Sequence, residues 1–372
     1  MSAKKRFACI VGARPNFMKM APILKAFEPY RDAETYLIHT GQHYDAALSD
    51  VFFDELGIRA PDVSLGVGSG SHADQTAKLL VALERTFVES DAGGKPIDRV
   101  VVVGDVNSTM AATLAAAKLC IPVAHVEAGL RSWDRSMPEE VNRIVTDSLS
   151  DLLLVSEPEG VVNLRREGHS DANIRLVGNV MIDTLIRQIE QSRDRPLLTD
   201  LGLEPQGFGV VTLHRPSNVD DRETLSRLID VLIRASESMP IIFPIHPRTR
   251  ANLDAFGLFD RLESTAQIRI QQPLGYNDFS CLTSQAKFIV TDSGGLQEES
   301  TFLGVPCLTM RDTTERPITV TMGTSTLCGS SAEKLELHLQ EILQGTYKQG
   351  KCPELWDGKA AERIVAELVA AS

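Results

Sequence analysis

Short apolar runs recur along this chain, each followed by a polar turn and then by a stretch with apolar residues at helical spacing. The runs at 7–11, 35–40, 99–103, 121–126, 151–156 and 173–177 predict a first sheet of about six strands. Runs at 208–213, 241–245, 267–270, 288–290 and 305–309 predict a second sheet. Most are apolar throughout rather than alternating, as strands covered on both faces of a parallel sheet are. Their alternation with helical stretches predicts an α/β chain of two such sheets. The division falls at 178/179, with a first domain over 1–178 and a second over 179–357. The polar, proline-containing stretch 191–205 is the expected connection. The amphipathic tail, 358–372, is expected to pack back on the first domain.

One stretch breaks its pattern in an informative way. The run Phe288-Ile289-Val290 meets Asp292-Ser293-Gly294-Gly295, and a helical pattern with early acidic residues starts at Leu296. A strand, a Ser-Gly-Gly turn and a helix start leave backbone N–H groups free for an anion. The next strand, 305–309, runs into Met310-Arg311-Asp312-Thr313-Thr314-Glu315-Arg316-Pro317, which brings two cations close by. An ordinary glycine-rich connection explains Ser-Gly-Gly alone. With Arg311 and Arg316 behind it, a diphosphate pocket is the better reading.

Other strand ends carry chemistry too. Gly12 to Asn16 turns into a helix whose start holds Arg14 and Lys19, where a helix dipole prefers anions; phosphate recruitment explains the misfit. Asp105 ends the strand at 99–103, and Glu127 ends the neighbouring run. Open parallel sheets bind ligands at this edge. Pro138-Glu139-Glu140 opens a further helix, where acids also serve simply as good helix starts; Asp105 and Ser108 likewise fit as helix caps. Three carboxylates in one crevice would repel one another, one way of building acid and base pairs. Two strands of the second half end in His214-Arg215 and His246-Pro247-Arg248. His39 and His43 span a strand–loop junction, which argues against a metal pair. The glycines of 65–71 lack the Gly-Lys-Ser/Thr of a P-loop, and no Gly-x-Gly-x-x-Gly dinucleotide fingerprint is present.

Composition narrows the classes. A chain of 372 residues with a net charge of −12 is a poor partner for nucleic acid, so an anionic ligand needs a local cationic pocket. No apolar run approaches the length of a membrane helix. The six cysteines are far apart and lack Cys-x-x-Cys, as expected of reduced thiols in a cytosolic protein with neither disulfide nor metal.

The motifs Gly12-x-Arg14-Pro15, Lys19-Met20-Ala21-Pro22, Gly104-Asp105, His125-Val126-Glu127-Ala128-Gly129-Leu130-Arg131, Pro138-Glu139-Glu140-x-Asn142-Arg143, Thr212-x-His214-Arg215, Asp292-Ser293-Gly294-Gly295-x-Gln297-Glu298-Glu299 and 310–317 occur in this order. Together they resemble the bacterial non-hydrolysing UDP-N-acetylglucosamine 2-epimerases. The resemblance implies two Rossmann-like domains in a GT-B arrangement, with the active site in the cleft between them. It further implies a homodimer, a UDP-sugar substrate and no cofactor. Carried over by motif, Asp105, Glu127 and Glu139 resemble the catalytic carboxylates and His214 the active-site histidine near the diphosphate. Arg14, Lys19 and Arg316 resemble substrate contacts, and Ser293, Gly294 and Gly295 the phosphate-binding turn. Glu299 resembles the ribose ligand, Phe279 the aromatic beside uracil, and Leu274 a uracil contact. Ser217 stands where some relatives carry Glu, in a patch linked to an activating second UDP-N-acetylglucosamine. Gln42 and His246 match other parts of that patch. The Ser217 departure argues against such activation here.

The implied reaction accounts for the residue set. The C2 proton of the sugar has no adjacent carbonyl, so loss of UDP from C1 must accompany its removal. Acid–base groups on two faces and cations for the leaving diphosphate then follow. The rival readings are an epimerase of a related UDP-diacetamido-uronic acid, a glycosyltransferase of the same architecture, and a UDP-sugar-binding regulator.

Overall fold

The computed structural model describes residues 4–41, 56–192 and 196–371; Gln42 and His43 lie outside them. The described chain forms two compact units, residues 1–184 with 354–372, and residues 185–353.

The first unit is built on strands β1 (Lys5–Val11), β2 (Ala33–His39), β3 (Val63–Ser64), β4 (Arg99–Val103), β5 (Val123–Val126), β6 (Leu152–Val155) and β7 (Ile174–Leu176). All pairs are parallel, in the order β3-β2-β1-β4-β5-β6-β7. The expected six strands are therefore seven. The extra one is a two-residue edge strand, too short to leave a pattern in the sequence. Every residue of β4, β5 and β6 is buried, as runs covered on both faces must be. Ala8, Ile10, Val100 and Val102 pack with Leu79, Leu83 and Phe87 of helix His72–Ala92 and with Ala111, Ala112 and Ala115 of helix Asn107–Lys118. The small alanines let that second helix lie close against the sheet.

The C-terminal helix Ala360–Ala370 belongs to this unit. Asp183 accepts from the backbone N–H groups of Ala360 (3.2 Å) and Ala361 (2.7 Å), satisfying donors that a helix start leaves open. At the other end, Arg99 donates to the Ala371 carbonyl at 2.8 Å.

The second unit carries β8 (Gly209–Thr212), β9 (Ile241–Pro244), β10 (Ile268–Gln271), β11 (Phe288–Thr291), β12 (Cys307–Thr309) and β13 (Ser325–Leu327). Again all pairs are parallel, in the order β10-β9-β8-β11-β12-β13. Helices Arg222–Ser236 and Ala332–Gln344 contribute to one apolar cluster around this sheet, and helices Tyr276–Gln285 and Gly294–Leu303 to another.

Strand order reverses direction at one place in each sheet, between β1 and β4 and between β8 and β11. Connections leave to opposite sides at such a point and open a crevice at the carboxyl ends of the two strands. Gly12 and Gly104 follow the first pair closely, and His214 and Asp292 the second.

Candidate active site

In the first unit, Asp105 and Glu127 leave the carboxyl ends of neighbouring strands β4 and β5. Neither is left to repel the other, because each has its own cation. Lys19 Nζ pairs with Glu127 Oε2, with side-chain exposures of 7% and 3%. Lys19 is thus a buried partner rather than a solvated charge at a helix start, since helix Arg14–Phe27 carries it inward across the sheet edge. Arg14 opens that helix and is exposed. Arg143 pairs with Asp105, whose side chain is 29% exposed. The same guanidinium holds Glu140 through Nε at 3.0 Å and Nη2 at 2.7 Å.

The backbone at this edge is shaped for close approach. Gly104 has φ +69°, and a Cβ there would sit 3.1 Å from Lys19 Nζ and 3.6 Å from Glu127 Oε2. Glu127 itself has φ +69°, a left-handed conformation that costs a non-glycine residue about 1 kcal/mol or more. His125, two residues earlier, is fully buried, with Nδ1 2.6 Å from Asp147 Oδ1 and Nε2 2.8 Å from the Gly104 carbonyl. Burial pushes the Asp147 carboxyl up, but the His125 ring and the Arg131 guanidinium hold it below the usual range. Asn142 donates to the Asp105 carbonyl at 2.9 Å and to Asn107 at 3.1 Å.

The cap reading for Asp105 and Ser108 does not hold, whereas Glu139 and Glu140 do lie in the first turn of helix Pro138–Leu149. Helix Asn107–Lys118 is capped by Val106 and helix Pro138–Leu149 by Met137, neither through a side chain. Glu140 turns back to accept from the N–H groups of Ser132 and Trp133, both at 2.9 Å. These bonds and Arg143 hold its carboxyl below the usual range against its burial. Glu139, in the first turn of the same helix, is half-buried, and its side chain makes no ion pair or hydrogen bond with another described residue.

The second unit gathers the anion-binding features. Helix Gly294–Leu303 starts two residues earlier than its apolar pattern, with Ser293 at its cap. Its first turn therefore holds no acid; Glu298 and Glu299 fall in the second turn, and the positive end stays uncompensated by its own sequence. A Cβ on Gly294 would lie 2.9 Å from Glu315 Oε1, 3.2 Å from Arg316 Nη1 and 3.5 Å from Arg311 Nη1. The glycine thus lets two guanidinium groups reach the helix start. They are held there by acids: Arg316 by Glu298 (2.8 Å) and Glu315, and Arg311 by Glu315 (2.8 Å). Burial works against the Glu315 carboxylate, yet these two cations hold its pKa far below the usual range.

His214 Nδ1 lies 2.6 Å from Asp292 Oδ1, one residue before the Ser293 turn. His246 places its ring 5.4 Å from that of His214, and burial and the neighbouring His214 lower its pKa. Tyr276 donates its hydroxyl to Glu299 Oε1 at 3.1 Å. Phe279 and Leu274 are partly buried against the cluster that includes Leu296 of the turn-bearing helix. The second unit therefore brings His214, Ser293, Gly294, Gly295, Glu299, Arg316 and Phe279 onto or beside one sheet edge.

With that geometry in view, comparison with known proteins is decisive. A family profile described as UDP-N-acetylglucosamine 2-epimerase matches residues 25–369. The chain belongs to this family. The UDP-N-acetylglucosamine 2-epimerase of Methanocaldococcus jannaschii is 41% identical over 369 residues, covering 98% of each chain. This relative is archaeal, so the family reaches beyond bacteria. The UDP-2,3-diacetamido-2,3-dideoxy-D-glucuronate 2-epimerase of Pseudomonas aeruginosa is 37% identical, covering 97% of this chain and 98% of its own. A crystal structure of the M. jannaschii enzyme in complex with UDP-GlcNAc and UDP matches with a TM-score of 0.86 at 40% identity, covering 98% of this chain and 99% of that one. The two all-parallel α/β units are the GT-B-type architecture of this family's epimerases.

Sequence reading passed over several residues that build the site. Arg143, Asp292 and His125 stood inside the motifs but were given no role. Asp292 was signalled by an acid ending an apolar run directly before Ser-Gly-Gly. Asp147 sits in the last turn of helix Pro138–Leu149 with no local signal at all.

Proposed function

We propose that this protein interconverts UDP-N-acetylglucosamine and UDP-N-acetylmannosamine by inverting C2 of the sugar. The observation that carries the reading is the carboxyl edge of β4 and β5, where Asp105 and Glu127 stand beside each other, each held by its own buried cation. Full-length similarity to UDP-N-acetylglucosamine 2-epimerases supports the substrate.

The chemistry runs in two balanced halves. In the first, the C1–O bond breaks and its electron pair leaves with the UDP oxygen. A carboxylate takes the C2 proton, and the C2–H electrons form the C1=C2 bond of 2-acetamidoglucal. In the second, an acid returns a proton to the opposite face of C2 while the UDP oxygen re-forms its bond to C1. The exchange is redox-neutral and needs no nicotinamide. Asp105, Glu127 and Glu139 are the acid–base groups, with Lys19 and Arg143 keeping two of them in position. Arg14 and Lys19 contribute cations on the substrate side of the first unit. Ser293, Gly294, Gly295, Arg316 and His214 receive the departing diphosphate. Glu299 binds ribose, while Phe279 and Leu274 border the uracil. The enzyme acts in the cytoplasm as a homodimer, which sedimentation equilibrium would test directly.

The 37% identity to the P. aeruginosa enzyme favours one second reading, a UDP-diacetamido-glucuronate substrate. Both are tested by incubation in D2O with each sugar in turn, followed by NMR. Deuterium at C2 of UDP-N-acetylglucosamine, with the manno epimer appearing, is the expected result. Label only in the diacetamido sugar transfers the activity to the second reading, and label in neither sinks both.

A further inference from the structure

Asp292 has no place in the scheme above, yet it is the most fully engaged carboxylate at the second sheet's edge. It follows β11 directly, is 0% exposed, and has a partner close to each oxygen. Oδ2 accepts from the backbone N–H of His214 (2.9 Å), the backbone N–H of Arg215 (2.8 Å) and Asn218 Nδ2 (3.1 Å). Asn218 is itself fixed, donating to the Met310 carbonyl at 2.9 Å and accepting from Ser330 Oγ at 2.9 Å. That leaves Oδ1 for one partner, His214 Nδ1 at 2.6 Å. The ring of His214 is 41% exposed, and Nε2 makes no hydrogen bond with another described residue. The register explains the meeting. Thr212 of β8 pairs with Thr291 of β11, so His214 and Asp292 leave adjacent parallel strands within one residue of the same level.

We propose that Asp292 is a positioning residue that fixes the Nδ1 proton of His214, so that the ring gives or takes a proton only at Nε2. A carboxylate that accepts from Nδ1–H sets the tautomer and the orientation of an imidazole together. Three further donors stop Asp292 from rotating away. Burial pushes its carboxyl up, and the bonds from His214 and the two backbone N–H groups outweigh it, so the anion is the resident form. The other groups facing the ring fit this role. His246 uses its Nδ1 to accept from the Arg248 N–H at 3.2 Å, and Arg248 is turned to Asp220, so neither competes for Asp292. With Nδ1–H held by Asp292, Nε2 passes its proton to the UDP oxygen as the C1–O bond breaks and takes it back as that bond re-forms, the ring being neutral in between. This inference rests on the proposed epimerase reading for what His214 meets.

The test has two arms. In the first, the wild-type protein labelled with 15N-histidine is examined by long-range 1H–15N NMR, with the His214 signals assigned by their loss in His214→Gln. Nδ1 is expected protonated from pH 6 to 8. An unprotonated Nδ1 overturns the proposal, and this arm reads the dyad whether or not the enzyme epimerises any particular sugar. In the second, Asp292→Asn places an amide N–H against Nδ1, which moves the remaining proton to Nε2. Turnover is expected to fall by at least about a hundredfold with KM changed less than about threefold. His214→Gln and the Asp292→Asn/His214→Gln double variant should be equally slow. Full turnover in Asp292→Asn, or losses that multiply in the double variant, would overturn it. Should Asp292→Asn fail to fold, the wild-type tautomer alone decides.

Discussion

The two sheet edges solve opposite versions of one problem. In the first unit the proposed acid–base groups are anions, and buried cations hold them: Lys19 for Glu127 and Arg143 for Asp105. In the second the proposed phosphate ligands Arg316 and Arg311 are cations, and buried anions hold them: Glu298 and Glu315 for Arg316, and Glu315 for Arg311. A reactive charge that is partly desolvated must be paired and hydrogen-bonded to stay charged. On the proposed reading, the same architecture yields an acid–base edge or an anion-binding edge, depending on which sign is presented and which supports it.

The sharpest way to break this comparison is to remove a presented anion. Glu127→Gln should lower kcat about a thousandfold, within the usual range for an acid–base group, with UDP affinity unchanged by calorimetry. Retained turnover would show that this edge does no proton transfer. On the other edge the split should reverse. Arg316→Met should weaken UDP binding about tenfold to a hundredfold, as expected on losing charge-assisted contacts, and change kcat less. It also leaves Glu298 short of a cation, so a lower melting temperature should accompany it. If kcat rather than affinity collapses, the division of labour is wrong.

Smaller effects sharpen the picture. Gly104→Ala forces a side chain into φ +69° beside Lys19 and should cost about 2 kcal/mol in urea unfolding. A variant as stable as wild type would remove the close-approach argument. The pH response should be the mildest. Asp147 and Asp292 have depressed folded-state pKa values, so their contribution is present above the unfolded carboxylate range and is lost as pH falls through their folded values. Asp183 runs the other way. Burial raises it to about 6, so its contribution is lost as pH rises through 6 and recovered on acidification. Between pH 7 and pH 5, wild type should gain about 1 kcal/mol relative to Asp183→Asn. Parallel stability curves for the two proteins would show that Asp183 does not titrate in this window.

Much of this was legible beforehand, for specific reasons. Runs such as 99–103 and 288–290 read as strands covered on both faces, and their ends fall close to where charge begins. Motif order then named the family on its own. The helix at Gly294 was misjudged by two residues, because glycine carries no propensity signal even where a helix start accepts it. Local spacing places Lys19 at a helix start, and it stands in a buried pair, since the direction of a helix across a sheet edge is not written in that spacing.

What the amino-acid order determined by itself was periodicity: which segments are strands, where each ends, and which chemical groups sit at those ends. Strand order was beyond it. Only the folded sheets set β1 beside β4 and β8 beside β11, and so created the crevices at which those ends meet. The reason is range. Local pattern governs how a segment buries its own surface, whereas residues as distant as Lys19 and Glu127, or His214 and Asp292, become partners only when separate segments share one core.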